Sequence, residues 1–225
     1  MGKKISIAID GPAGAGKTTI AREVADRLGY KYVDTGAMYR AVAWKSLQLS
    51  IPLSDEEIIV QMTAEMDIDF LEGDGSRIVV DGLDVSREIR TPEVTRLSSP
   101  VSAISGVRRL LVEDQRRLAG HGGVVMEGRD IGSVVLPNAE VKVFLTASVD
   151  ERARRRYNEM TSSEMDVDIE RLKADIQERD HRDSTRSDSP LAKAPGAVEI
   201  DTDGLAIEEV IGKILDLADI GKGCR

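Results

Sequence analysis

Residues 11–19 read GPAGAGKTT and fall on the phosphate-binding pattern G-x-x-x-x-G-K-[ST], with Gly11, Gly16, Lys17 and Thr18 in register. Gly11, Pro12, Ala13, Gly14, Ala15 and Gly16 form the loop, and Lys17, Thr18 and Thr19 follow it. Glycines admit left-handed backbone and close approach, so consecutive N–H groups turn inward and cradle phosphate oxygens. Lys17 reaches for the outer phosphates of a nucleotide, and Thr18 offers its hydroxyl to Mg2+. The competing reading, a Gly-rich turn with an accidental Lys-Thr, is weakened by the strand pattern before the loop and the helix pattern after it.

A second supply of chemistry lies downstream. Arg129 sits in EGRD, Arg152, Arg154, Arg155 and Arg156 share one run, and Arg179, Arg182 and Arg186 share another. Any single one could be a solvated charge on an exposed helix. Together they suit in-line phosphoryl transfer, which builds negative charge on the moving group that bidentate guanidiniums stabilise. Only some of the arginines at 152–156 can face inward on one helix. Glu127 ends an apolar run and suits a place behind a Mg2+ ion rather than on it. His121 among glycines and His181 among charges read as solvated, and Trp44 and Phe144 read as core. No guanine-reading N-K-x-D stretch accompanies the loop, which argues against a GTPase switch.

The elements that must hold these residues follow from periodicity. KISIAID is a buried strand, and KTTIAREVADRLG is a helix stopped by Gly29. YKYVDTG gives a second strand and AMYRAVAWKSLQL a helix ending before Pro52. Ser54 and Glu57 form a capping-box pattern for a third helix. From residue 66 to about 90 apolar and polar residues alternate around Asp74-Gly75 and Asp81-Gly82, which predicts a small antiparallel insert. Thr91-Pro92 starts a helix, and SGVRRLLVEDQRRLAG is another. GVVMEG and VKVFLTA are strands. Ser148 and Glu151 form a second capping box, opening VDERARRRYNEM. IERLKADIQERDHRDSTR, the strand AVEIDT and the helix AIEEVIGKILDLA complete the chain. Strands alternating with helices predict a parallel α/β sheet covered on both faces.

Composition limits the partners. The formal net charge is −9 and aromatics make up 3% of the 225 residues, which opposes nucleic-acid polymers and anionic membranes as partners and leaves small anions. The single cysteine, Cys224, cannot form an internal disulfide, and the first apolar run is too short for a signal core or a membrane span. These features predict a cytoplasmic protein.

IDGPAGAGKTT, VDTGAMYRA, VVMEGRDIGSVVLPNA, VKVFLTAS and ERDHRDSTR, in this order and at this spacing, resemble the bacterial cytidylate kinases over nearly the whole chain. The resemblance implies an α/β, three-layer P-loop kinase fold with a central parallel sheet and a small antiparallel β insert. It implies transfer of a phosphoryl group from ATP, with Mg2+, to CMP or dCMP by a monomer. One domain is expected, with its core at 1–50, 92–150 and 187–225, a monophosphate-binding region at about 51–91 and a lid at about 151–186. By the same resemblance Thr35, Arg40, Arg129 and Arg186 hold the CMP phosphate. Ser99, Arg108 and Asp130 read cytosine, Arg179 and Asp183 meet the sugar, and Tyr39 lines the pocket. Lys17, Arg129, Arg152 and Arg156 are the expected catalytic cations. Family members commonly carry Ser at position 35, so Thr35 keeps the hydroxyl and adds a methyl. The chemistry at Asp130 supports its role independently: cytosine presents an amine donor where uracil presents a carbonyl acceptor, and a carboxylate accepts from the first and repels the second. Two alternatives remain open: a small kinase acting on another acceptor such as UMP, and a nucleotide-dependent binding module without transfer activity.

Overall fold

The computed structural model describes residues 4–71, 77–161, 168–186 and 188–223. In chain order its elements are β1 (Ser6–Asp10), α1 (Lys17–Leu28), β2 (Lys31–Asp34), α2 (Thr35–Gln48), α3 (Glu56–Glu65), β3 (Ile68–Phe70), β4 (Ile78–Val80), β5 (Leu83–Asp84), α4 (Pro92–Ala103), α5 (Ser105–Ala119), β6 (Val124–Gly128), β7 (Val141–Thr146), α6 (Val149–Thr161), α7 (Ile169–Thr185), β8 (Val198–Asp201) and α8 (Ile207–Gly223). A 3-10 turn covers Glu88–Arg90 and a π turn covers Ile131–Val135.

Five strands run parallel in the order β2-β6-β1-β7-β8. Because side chains alternate along a strand, each strand feeds two cores. Ile7 and Ile9 of β1 and Val125 of β6 join Ile20 and Val24 of α1 and Ile211 and Ile214 of α8 on one face. Ala8, Val124 and Met126 join Met38 and Val42 of α2, Ile59 of α3 and Val107 and Leu111 of α5 on the other. With only two phenylalanines and one tryptophan in the chain, both cores are aliphatic. Trp44 is half-buried against the second core, while Phe144 is half-buried on β7.

The expected insert is a three-stranded antiparallel sheet, β3-β4-β5. Asp81 and Gly82 both take left-handed φ, 52° and 80°, which is the backbone a tight two-residue hairpin needs. The Asp74-Gly75 turn lies outside the described residues. Ile68, Phe70, Ile78 and Val80 pack into the core shared with α2 and α5, so the insert is continuous with the layer beneath it.

Helix ends follow local chemistry with two departures. Gly29 takes φ 63° and lets the Tyr30 N–H reach back to the Ala25 carbonyl at 2.9 Å, closing α1. Thr91 caps α4 by accepting from the Val94 N–H at 3.4 Å. The Ser54–Glu57 box does not form: α3 starts at Glu56 behind Asp55, and the Ser54 hydroxyl bonds Asp55 instead. The Ser148–Glu151 box forms in one direction only. The Ser148 hydroxyl accepts from the Glu151 N–H at 3.2 Å, but the Glu151 carboxylate is drawn to Arg154 and Arg155, and the Ser148 N–H donates to Asp203. Strong guanidinium partners win over a single backbone amide. No helix among the described residues is long and apolar enough to cross a membrane.

Candidate active site

The carboxyl ends of β2, β6 and β1, three neighbours in the sheet, bring Asp34 and Thr35, Glu127 to Asp130, and Asp10 with the glycine loop to one crevice. Parallel sheets place their ligand sites there, because loops and helix N-termini converge on that edge. A cavity of about 700 Å3 opens between this edge, α4 and the α6–α7 pair. Eight arginines and Lys17 line it against five carboxylates, in a chain whose net charge is −9.

Backbone constraints make the loop. A Cβ on Gly11 would lie 2.1 Å from the Leu145 carbonyl oxygen, so no side chain fits between β1 and β7 there. Gly16 takes φ 84° and starts α1 without a side-chain cap, which leaves the first amides of the helix for an anion. Ala13, Gly14, Lys17 and Thr18 line the cavity. Ala15 is buried in the core beneath, Thr19 is exposed, and Pro12 presents its carbonyl to Lys17 Nζ at 2.7 Å. Burial, and then the Arg129 guanidinium, hold the Lys17 ammonium down to about 7, with Glu127 and Asp10 acting the other way.

Beside the loop stands Glu127, buried at the end of β6. Burial and the nearby Asp34 carboxylate push its carboxyl above the usual range. Its Oε1 accepts from the Tyr32 hydroxyl at 2.5 Å. The Thr35 hydroxyl donates to the Glu127 carbonyl at 2.7 Å, so its proton is already committed, and the residue lines the cavity. Asp10 grips the loop after β6: its two oxygens accept from the Ile131 and Gly132 amides, each at 2.8 Å. Burial pushes its carboxyl up to about 6 despite those two bonds.

The other end of the cavity is built from arginine–carboxylate pairs. Asp34 caps α2 through the Ala37 amide and holds Arg40 at 2.8 Å. Arg129 donates to Asp183 of α7 at 2.9 Å. Arg108, 3% exposed, donates to the buried Asp130 and lies 5.6 Å from the centre of the Tyr39 ring. Arg186 approaches the other Asp130 oxygen at 3.7 Å. Ser99, on α4, lines the same wall. Burial and neighbouring guanidiniums lower the basicity of Arg179 and Arg186, a repulsion that an anion between them would relieve. Among the described residues, Arg40 Nε, Arg108 Nε, Arg179 Nε and Arg186 Nη2 are buried donors with no protein acceptor. A phosphate or a polar base supplies what such donors need.

The helix of arginines sorts itself. Arg156 lines the cavity, whereas Arg154 is exposed on Glu151 and Arg155 is tied to Glu151 and to Thr202. Arg152 is buried and spends its donors on Ala147, on Ala13 of the loop and on Asp180 of α7 at 2.6 Å, bracing the loop from behind. His121 and His181 are exposed. Asp34 is a site residue that the motif reading passed over, although an Asp directly before a helix is a cap signal. Arg90 and Arg96 also line the cavity, and no sequence pattern marks them.

The cytidylate kinase family model matches residues 7–219. A cytidylate kinase of Desulforamulus reducens is 53% identical over 96% of this chain and 97% of its own length. One from Bacillus subtilis is 50% identical over 97% and 98% respectively. An uncharacterised protein from Eubacterium ventriosum superposes with a TM-score of 0.53 at 14% identity, over 96% of this chain and 99% of that one, a likeness of fold alone. Since the match runs from β1 into α8 and takes in every strand that feeds the crevice, the chain belongs to the cytidylate kinase family.

Proposed function

We propose that the protein transfers the terminal phosphoryl group of ATP to CMP or dCMP, giving ADP and CDP or dCDP. The observation that carries this reading is one cavity with two differently built anion sites. A backbone loop with Lys17 stands on one side, and Arg40, Arg129, Arg179 and Arg186 stand on the other. A hydrolase or switch needs the first, whereas a transferase needs both.

In the transfer an oxygen of the monophosphate attacks the terminal phosphorus of ATP, and the bond to the bridging oxygen breaks, leaving with ADP. No covalent enzyme intermediate is required. Lys17 and Arg156 meet the migrating charge, and Arg129, aligned by Asp183, lies between the two phosphates. Thr35, Arg40, Arg129 and Arg186 hold the acceptor phosphate, Ser99, Arg108 and Asp130 read the base, and Tyr39 lines the pocket. Arg179 and Asp183 face the sugar. Arg152 supports the loop rather than the reacting group.

Mg2+ fits the residues present. The cavity presents oxygen donors beside the phosphate loop, the Thr18 hydroxyl and the Glu127 and Asp34 carboxylates, and hard oxygen ligands are what this cation takes together with phosphates and water. Thr18 would hold it, with Glu127 behind, and when bound it neutralises phosphate charge. Residues 51–91 act as the monophosphate-binding region and 151–186 as the lid, around a core completed by 1–50, 92–150 and 187–225. The same reading takes the protein as a monomer that meets its nucleotide substrates in the cytoplasm.

An ADP-release assay across CMP, dCMP, UMP, AMP and no acceptor tests the reading. CMP and dCMP should drive ADP formation well above the acceptor-free rate. Equal rates without acceptor would mean an ATPase or a binding module, and a preference for UMP would mean a different kinase.

The depressed basicity of Lys17 adds a pH prediction. Free Lys17 titrates near pH 7, and a polyphosphate holds it charged. Above pH 7 the free protein has lost that proton, so ATP binding takes one up and affinity falls by up to about tenfold per pH unit. Calorimetry at pH 8 in buffers of different ionisation enthalpy should show this uptake in the wild type. Lys17→Arg, charged throughout, should lack it. Equal uptake in both proteins would remove Lys17 as the titrating group.

A further inference from the structure

Tyr32 has no part in the reading above, yet it reaches the reacting end of the site. It is 4% exposed, and its ring packs in the core between the sheet and α1 with Ile20, Val24 and Val125. In the parallel pairing of β2 with β6, Tyr32 lies opposite Val125 and Asp34 opposite Glu127. The phenol therefore starts one strand-repeat below the crevice, and its length carries the hydroxyl up to the Glu127 carboxylate, where it donates at 2.5 Å. Glu127 lines the cavity and Tyr32 does not. Its hydroxyl touches the site from underneath.

Three hydroxyl and carboxyl groups meet there. Tyr32 donates to Glu127 Oε1. Thr18, on the first turn of α1, stands beside both, and its side chain is felt by the Glu127 carboxylate and by the Tyr32 phenol alike. A hydroxyl can ligate a cation only through its lone pairs, so its proton must point to a neighbour such as these. An unpinned carboxylate on a two-methylene stem would instead swing toward Lys17, whose charge it feels.

We propose that Tyr32 is a positioning residue for the divalent cation: its phenol pins the Glu127 carboxylate in place on the cavity wall, behind the cation that Thr18 would hold. The inference rests on the Mg2+-dependent kinase reading above. Groups behind a metal ligand fix its orientation, and their loss lowers metal affinity by roughly 10–100-fold. A tyrosine two positions before Asp34 on β2 thereby sets the geometry of a carboxylate on β6, 95 positions away.

Tyr32→Phe keeps the ring and removes only the hydroxyl. The quantity to measure is the ratio of ATP affinities with Mg2+ and with chelator, by calorimetry without acceptor so that no turnover occurs. The wild type should bind ATP more tightly with Mg2+, and Tyr32→Phe should lose about tenfold of that gain while its CMP affinity is unchanged. A hydroxyl that served packing alone would lower thermal stability and leave the ratio untouched, and that result overturns the inference. A wild type whose ATP affinity ignores Mg2+ overturns the Mg2+ reading at its root, so the two failures are distinct. Should Tyr32→Phe not fold, Tyr32→Met fills the same space without a hydroxyl and is held to the same ratio.

Discussion

Lys17→Ala should lower turnover by roughly a hundredfold to a thousandfold while the purified protein stays folded. Charge moves from the terminal phosphoryl group to the bridging oxygen during transfer, and the ammonium is held within the loop by the Pro12 carbonyl where that charge arrives. An interaction that strengthens along the reaction shows in turnover more than in binding, so kcat should fall further than KM rises. The fold should survive, because the side chain carries a buried charge that its surroundings already disfavour. Steady-state kinetics beside thermal unfolding checks both halves. A folded variant with near wild-type turnover would remove the glycine loop from the reaction.

The loop was legible in the sequence because its constraints are local. Gly11 and Gly16 answer to backbone dihedrals and to one carbonyl neighbour, and such demands leave a spaced pattern. Gly29, Thr91 and the Asp81-Gly82 turn were legible for the same reason. The capping boxes were less so. Their pattern is local, but Glu151 had arginines one turn away that outbid the amide, and at Ser54 the helix began two residues later behind Asp55. The sorting of the 152–156 arginines was illegible. It depends on Asp180 and Thr202, residues that only the tertiary fold brings near. Tyr32 illustrates the limit: a tyrosine inside a strand reads as core, and nothing in its neighbours announces that its hydroxyl reaches Glu127 from 95 positions away.

The same tertiary pairing explains how so cationic a cavity persists in the folded protein. Arg40, Arg108 and Arg129 are each held by a carboxylate, for Arg40 from the end of the preceding strand and for Arg108 and Arg129 from parts of the chain far away in sequence. The carboxylates lessen mutual repulsion and also fix the guanidinium planes, so little ordering remains to be done when a phosphate arrives. Because Asp183 sits on α7 and Arg129 follows β6, the alignment of Arg129 depends on how α7 lies over the sheet.

At Asp130 this pairing opens onto the cavity. Its Oδ2 is taken by Arg108, and its Oδ1 faces the cavity near Arg186 without a hydrogen bond between them. In Asp130→Asn the Arg108 guanidinium still requires an acceptor, so the amide oxygen must take the Oδ2 position. The amide NH2 is then forced into the place of Oδ1. That orientation exchanges an acceptor for a donor at the point where cytosine carries its amine and uracil its carbonyl. Efficiency toward CMP should fall roughly tenfold to a hundredfold, the scale of a lost charge-assisted hydrogen bond, while UMP loses less or gains. Thermal stability should fall as well, because Arg108 is buried and loses its counter-charge. That loss bears on both acceptors equally and cancels in the ratio of their efficiencies. A CMP:UMP ratio unchanged from the wild type would leave Asp130 as the anchor of Arg108 and nothing more, whatever happened to overall activity.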